Sequence, residues 1–170
     1  IIGGAYGKMG SAVLASRAAL SIGAGLVTSF IPKSGCHILQ TTCPEAMVIT
    51  DDNDVLISNI KFDIQPNAIG VGIGMGMNDR TILAFESFLK TNKRPLVIDA
   101  DALNILSQKP ALLKLLPQST VLTPHPKELE RLIGTWNSDF DKLKKTKAFS
   151  KKHKVVVVIK GAHTITCLLY

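Results

Sequence analysis

Four short clusters in this 170-residue chain hold residues whose types and spacing suit chemistry. The first is Gly70-Val-Gly-Ile-Gly-Met-Gly76, four glycines at alternate positions after an apolar run. Lacking a Cβ, glycine lets backbone approach a ligand closely and turn its amides outward. The same spacing also suits a tight, close-packed turn. The dinucleotide fingerprint G-x-G-x-x-G fails, because after Gly72 and Gly74 the third glycine falls on Met77. The phosphate loop G-x-x-x-x-G-K-[ST] fails because Gly7-Lys8 runs into Met9. The second cluster is Asp99-Ala-Asp-Ala-Leu-Asn104. Asp99 and Asp101 could bind ligand hydroxyls or act as a base. A side-chain cap on the following helix is expected of at least one of them.

The third cluster sets His125 between Pro124 and Pro126. Proline suits the first turn of a helix, where its missing N–H costs nothing. That makes His125 the N-cap and puts Glu128 at the capping-box position. Leu129, Leu132 and Ile133 form the inward stripe, and Gly134 ends the helix. Histidine is a poor cap, and Thr123 could supply the local hydrogen bonding instead. His125 is therefore better explained by what it faces. The fourth cluster is Lys160-Gly-Ala-His-Thr164. It offers a phosphate a point charge, close backbone approach and a hydroxyl, or it is a hairpin turn with an exposed lysine.

Short β-branched runs alternate with helical patterns, and these place the clusters. Strands are expected at the tail Ile1-Ile2 and over 26–31, 46–50, 68–71, 95–98, 119–123, 155–159 and 164–170. Helices are expected over 11–22, 78–90, 102–107, 110–116, 126–133 and 139–152, while 51–67 is polar and ambiguous. Val155 to Ile159 is apolar at every position, as in a strand buried on both faces of a parallel sheet. The alternation predicts a doubly wound α/β domain with ligands at the carboxyl ends of its strands. The clusters fall at such ends.

Composition narrows the partners. Hydrophobic residues make up 46% of the chain, as in a folded globular domain. No apolar run approaches the roughly 20 residues that span a bilayer. Seven lysines between Lys142 and Lys154, with no acid among them, account for the formal charge of +7. The remaining 13 basic residues balance 13 acidic ones. The excess is thus the wet face of one helix, with Leu143 and Phe149 turned inward, rather than a nucleic-acid surface. Cys36, Cys43 and Cys167 form no CxxC pair, which fits neither a disulfide framework nor a zinc site and suits a cytoplasmic setting. The chain opens on Ile1 rather than methionine and closes on the apolar stretch 166–170. It is therefore expected to be part of a longer domain, truncated at both ends.

Taken together and in order, the clusters resemble the NAD(P)H-hydrate dehydratases, the YjeF C-terminal-domain family of the ribokinase-like superfamily. The resemblance rests on Gly-x-Gly-Met-Gly at 72–76, Asp-Ala-Asp-Ala-Leu-Asn at 99–104, Thr-Pro-His-Pro-x-Glu at 123–128 and Lys-Gly-Ala-x-Thr at 160–164. Met-Gly-Ser-Ala-Val-Leu-Ala at 9–15, Gly-Ala-Gly-Leu-Val at 23–27 and Pro44-Glu45 extend it over nearly the whole chain. It implies a three-layer α/β/α fold with a mainly parallel sheet, forming a single domain over 1–170. It also implies repair of hydrated NADH or NADPH, driven by ADP or ATP with Mg2+ on the nucleotide, in a cytoplasmic homo-oligomer with no nucleic-acid or membrane partner. Carried over by motif, Lys160, Gly161, Ala162, His163 and Thr164 line the nucleotide's phosphates. Gly74 and His125, with Ala12, contact the dinucleotide, and His125 does so by hydrogen bonding rather than proton transfer.

One departure stands out. The family continues into a Gly-x-Gly-Asp helix start whose amides hold the moving phosphoryl group and whose aspartate is the base. This sequence contains no such segment, so a chain ending at Tyr170 is expected to be inactive and a longer one active. A small-molecule kinase of the same superfamily and a non-catalytic nucleotide-binding relative remain as alternatives.

Overall fold

The computed structural model describes residues 1–168, so Leu169 and Tyr170, the end of the strand expected over 164–170, lie outside the described residues. The strands run β1 (Thr28–Ile31), β2 (Met47–Thr50), β3 (Ile69–Val71), β4 (Leu96–Ile98), β5 (Val121–Leu122), β6 (Val156–Ile159) and β7 (Ile165–Cys167). β1 and β2 pair in parallel, and β3-β4-β5-β6-β7 lie side by side, parallel except for the antiparallel β7. Ile2 joins the two groups by bridging Phe30 on one side and Val71 on the other. The result is one mainly parallel sheet.

Helices α1 (Met9–Ser21) and α2 (Cys36–Thr42) enclose a core of Met9, Ala12, Val13, Ile31 and Leu39 with β1. A larger core joins the strands to α3 (Asp79–Thr91), α4 (Asp101–Gln108), α5 (Pro126–Ile133) and α6 (Asp139–His153). Helices on both faces make three layers, α/β/α. The row Ile98, Leu122 and Val157 crosses three strands with no exposure. Each such side chain contributes roughly 1.5–3 kcal/mol.

Local chemistry explains most boundaries. Asn78 caps α3 by accepting the Arg80 N–H at 3.0 Å. Ser138 caps α6, with Asp139 and Asp141 in its first turn and Lys151 and Lys152 in its last, as the helix dipole favours. In α6, Thr146, Phe149 and Ser150 are buried while Lys144, Lys147, Lys151 and Lys152 are exposed, so the lysine run is a solvated face as expected; Leu143 is half-buried.

Several expectations need correction. The helix expected over 110–116 winds as a 3-10 helix over Pro110–Leu115. α2 has no counterpart among the helices the sequence predicts; Cys-His-Ile-Leu-Gln-Thr-Thr is short and carries no clear apolar stripe. Val155 to Ile159 is not buried on both faces: Val155, Val157 and Ile159 are buried, but Val156 and Val158 are half-open. The same open row includes Val97, 40% exposed, and Val121. The three cysteines are free thiols. No helix among the described residues is long and apolar enough to cross a membrane.

Candidate functional site

The chain winds away from Ile2 in opposite directions, toward β1 on one side and β3 on the other, so the sheet has a switch point there. Crevices at such points, at the carboxyl ends of strands, are where α/β folds bind ligands. Two loops meet in this one. Gly4 N–H donates to Ile73 O at 2.9 Å and Ala5 N–H to Gly74 O at 2.6 Å. The Ser11 hydroxyl lies 2.7 Å from Lys8 O and 3.2 Å from Ile73 O. Gly74 has φ +57°, and a Cβ there would run into Ser11 Oγ and sit 3.1 Å from the Lys8 Cβ. Only glycine lets these loops close to this distance.

The Asp99–Asp101 turn ties this crevice to the next strand ends. Asp101 Oδ2 accepts the Gly76 N–H at 2.8 Å and lies 3.4 Å from Lys8 Nζ. Asp99 Oδ1 accepts the Ala100 N–H at 2.9 Å and lies 2.5 Å from Lys160 Nζ. Neither aspartate caps α4 with its side chain, contrary to expectation. The N-cap is Ala100, which has no side-chain cap and sits at φ 51°, ψ −123°. The sharp turn spends both carboxylates on tertiary partners instead.

His125 is the N-cap of α5, with Pro126 at the first helical position and Gly134 at the C-cap, as the sequence predicts. Its own ring does the capping: Nδ1 accepts the Lys127 N–H at 3.2 Å, which puts the ring proton on Nε2. Glu128 Oε2 reaches back to the His125 N–H at 2.9 Å. Thr123 does not substitute as cap, because its hydroxyl and N–H both turn to Ile98 O. His125 Nε2 faces Glu128 Oε1 at 3.4 Å, with the side chain 47% exposed. Local capping and an open imidazole edge therefore coexist.

Lys160 directly follows β6, and its N–H donates to Pro124 O at 2.9 Å, so it stands beside His125. Its ammonium is 3.9 Å from Glu128 Oε2 as well as bound to Asp99. Residues 161–164 form the exposed turn of the β6–β7 hairpin. Gly74, His125 and Lys160 thus share one rim of the sheet, and Gly161, Ala162, His163 and Thr164 project beyond it. Ala12 does not join them. It is fully buried in α1 beneath Gly4, leaving no side-chain surface for a ligand. Lys8, Ser11 and the charge of Glu128 went unread in the sequence as parts of this rim. Lys8 stood in a failed phosphate-loop motif, and Glu128 in a capping box that already accounted for it. Among the described residues, no three His, Cys, Asp or Glu side chains converge to hold a metal ion.

Comparison with known proteins identifies the family and the fold. A family model described as NAD(P)H-hydrate dehydratase matches residues 1–168. The bifunctional NAD(P)H-hydrate repair enzyme Nnr of Moorella thermoacetica is 32% identical over 174 residues, covering 96% of this chain and 33% of that protein. The ADP-dependent (S)-NAD(P)H-hydrate dehydratase of Lactococcus lactis is 37% identical over 134 residues, 79% of this chain and 48% of that one. The chain thus spans between a third and a half of the length of these relatives. The crystal structure of the ADP/ATP-dependent NAD(P)H-hydrate dehydratase from Bacillus subtilis, co-crystallised with ATP and Mg2+, superposes with a TM-score of 0.79. That match has 22% identity and covers 99% of this chain and 59% of that one. The shared architecture is the ribokinase-like fold.

Proposed function

The chain belongs to the NAD(P)H-hydrate dehydratase family, and on that premise we propose that the protein restores NADH or NADPH from its hydrate at the expense of ADP or ATP. The hydroxyl on the hydrated nicotinamide ring gives its proton to the aspartate base of the family's Gly-x-Gly-Asp segment and attacks the terminal phosphoryl group. A P–O bond forms at the ring oxygen as the bond to the departing nucleotide breaks. The ring C–O bond then breaks, phosphate leaves with the electron pair, and loss of a proton from the neighbouring ring carbon restores the double bond. Phosphate leaves far more readily than hydroxide, which is why a nucleotide is consumed.

Within this scheme the described residues bind and orient. Lys160, with the turn 161–164, faces the nucleotide's phosphates. Gly74 lets the dinucleotide lie against backbone, and the Nε2–H of His125 donates to it. Neither Asp99 nor Asp101 is assigned as the base, because Lys160 holds one and Gly76 with Lys8 holds the other. Mg2+ is assigned to the nucleotide's phosphates, as the family resemblance implies, and no step is routed through it. One observation carries the reading: clusters far apart in sequence converge on one rim, where Lys160 and His125 flank a single buried carboxylate.

The test is direct. Hydrated NADH incubated with the intact protein and ADP or ATP should regain the absorbance of reduced nicotinamide, and Lys160→Ala should raise the KM for nucleotide about tenfold or more. No recovery with either nucleotide, together with phosphorylation of some other alcohol, would replace this reading with a small-molecule kinase.

A further inference from the structure

Capping does not account for the charge of Glu128. Its Oε2 accepts the His125 N–H, a task glutamine performs equally well in a capping box. The side chain is only 6% exposed, and a carboxylate so enclosed is costly unless charged or polar partners compensate it. Two such partners are present. His125 Nε2 lies 3.4 Å from Oε1, and Lys160 Nζ lies 3.9 Å from Oε2. They arrive from different elements, the start of α5 and the end of β6, and meet only at this carboxylate. Lys160 is not held by Glu128 alone, since Asp99 binds it at 2.5 Å. Glu128 is therefore the shared member of two contacts rather than the sole anchor of either.

Building on the dehydratase reading above, we propose that Glu128 is a positioning residue that ties the dinucleotide-facing imidazole of His125 and the nucleotide-facing ammonium of Lys160 to one carboxylate, so that filling one half of the site is felt in the other. A phosphate arriving at Lys160 competes with Glu128 for the ammonium. As Lys160 turns toward it, the Glu128 charge falls to the His125 edge alone. That ring, already held at Nδ1 by the Lys127 N–H, then keeps one orientation. The dinucleotide must then take the Nε2–H from a carboxylate that holds it alone, and binds less tightly. By linkage the effect is reciprocal.

In the intact protein, calorimetry measures ADP affinity with and without NADH, a dinucleotide that is the repair product and does not turn over. Each ligand should weaken the other about fivefold or more. Glu128→Gln keeps the capping bond and the shape but removes the charge, and the coupling should fall to near one. Glu130→Gln, the same charge change two residues along α5, should leave it intact. Glu128→Asp withdraws the charge by one methylene, should give intermediate coupling, and serves if the glutamine variant folds poorly. Full coupling in Glu128→Gln, or none in the wild type, overturns the proposal. Failure of the functional reading looks different: the wild type then binds neither ligand. The ligand-free protein decides in that case, because Glu128→Gln must shift the nitrogen NMR signals of both the His125 ring and the Lys160 ammonium, and Glu130→Gln neither. Unshifted signals at both groups overturn the proposal whatever the activity.

Discussion

A single methyl added at Gly72 tests whether the glycine loop and the Asp99–Asp101 turn are built as one unit. Gly72 has φ +118°, and a Cβ there would run into the Asp99 carbonyl oxygen. It would also lie 2.6 Å from the Ala102 Cβ and 2.9 Å from the Ala102 nitrogen. Two of these three atoms are backbone, so no side-chain rotation relieves the clash and α4 must move. The unfavourable backbone conformation costs about 1–3 kcal/mol, and overpacking adds about 1–3 kcal/mol. Gly72→Ala should therefore lose about 4 kcal/mol. Gly76→Ala is the matched control: φ is +81°, but the nearest atom, the Ala5 Cβ, is an ordinary 3.8 Å away. It should lose only the conformational cost, about 1–2 kcal/mol. At roughly 2–4 °C per kcal/mol for a domain of this size, the two variants should melt roughly 4–12 °C apart. Urea titration with unchanged m-values gives the free-energy gap directly. Equal destabilisation of the two variants would refute the close-approach argument.

Three further outcomes follow from the geometry. Ala100 occupies φ 51°, ψ −123°, a strain of about 1–3 kcal/mol; Ala100→Gly should stabilise the protein by about 1 kcal/mol after the flexibility of glycine in the unfolded chain offsets part of the relief, read as a higher urea midpoint. Burial pushes the Asp51 carboxyl up, but hydrogen bonds from the Ser58 hydroxyl and from the Asn59, Asn53 and Ser58 N–H groups outweigh it, leaving the group below the ordinary carboxylate range. Its stabilisation is then present above the unfolded value of about 3.9 and lost as pH falls through the lower folded value, so the gap between wild type and Asp51→Asn, about 2 kcal/mol at neutral pH, should close in acid urea titrations. His125→Asn supplies a good N-cap without an imidazole; its melting temperature should hold or rise while the KM for hydrated dinucleotide increases about tenfold, and a fall in stability with unchanged KM would make His125 a cap alone.

Much of the frame was legible because its signals are local. Pro126, Glu128 and Gly134 mark both ends of α5, and Asn78 and Ser138 mark the starts of α3 and α6. The rim was legible as a set of strand ends but not as a set of bonds. Lys160 reaches Asp99 only because β5 separates β4 from β6 by one strand, and strand order is a property of the assembled sheet. At least one of the two aspartates looked like a cap for the same reason. A helix start with two carboxylates reads as capping until the partners Gly76, Lys8 and Lys160 come into range. The polar stretch 51–67 was ambiguous because its organiser, Asp51, is a single residue that gathers Asn53, Ser58 and Asn59 without any repeat to announce it. The half-open faces of Val156 and Val158 show the limit of reading burial from apolar runs, since a β-branched residue suits a strand whether or not a helix covers it.

Ile2 has a consequence for how the molecule assembles. Its N–H and C=O bond to Gly70 and Gly72, while Phe30 closes on its other side through Ile1 and Gly3. The seam cannot close before β3 is in place. Long loop closures of this kind, more than helix formation, set the pace of folding. The crevice between the Gly3–Lys8 and Gly72–Gly76 loops exists only once that seam is joined. A ligand bound there holds the two halves together, and its concentration becomes a term in whether the join is made at all.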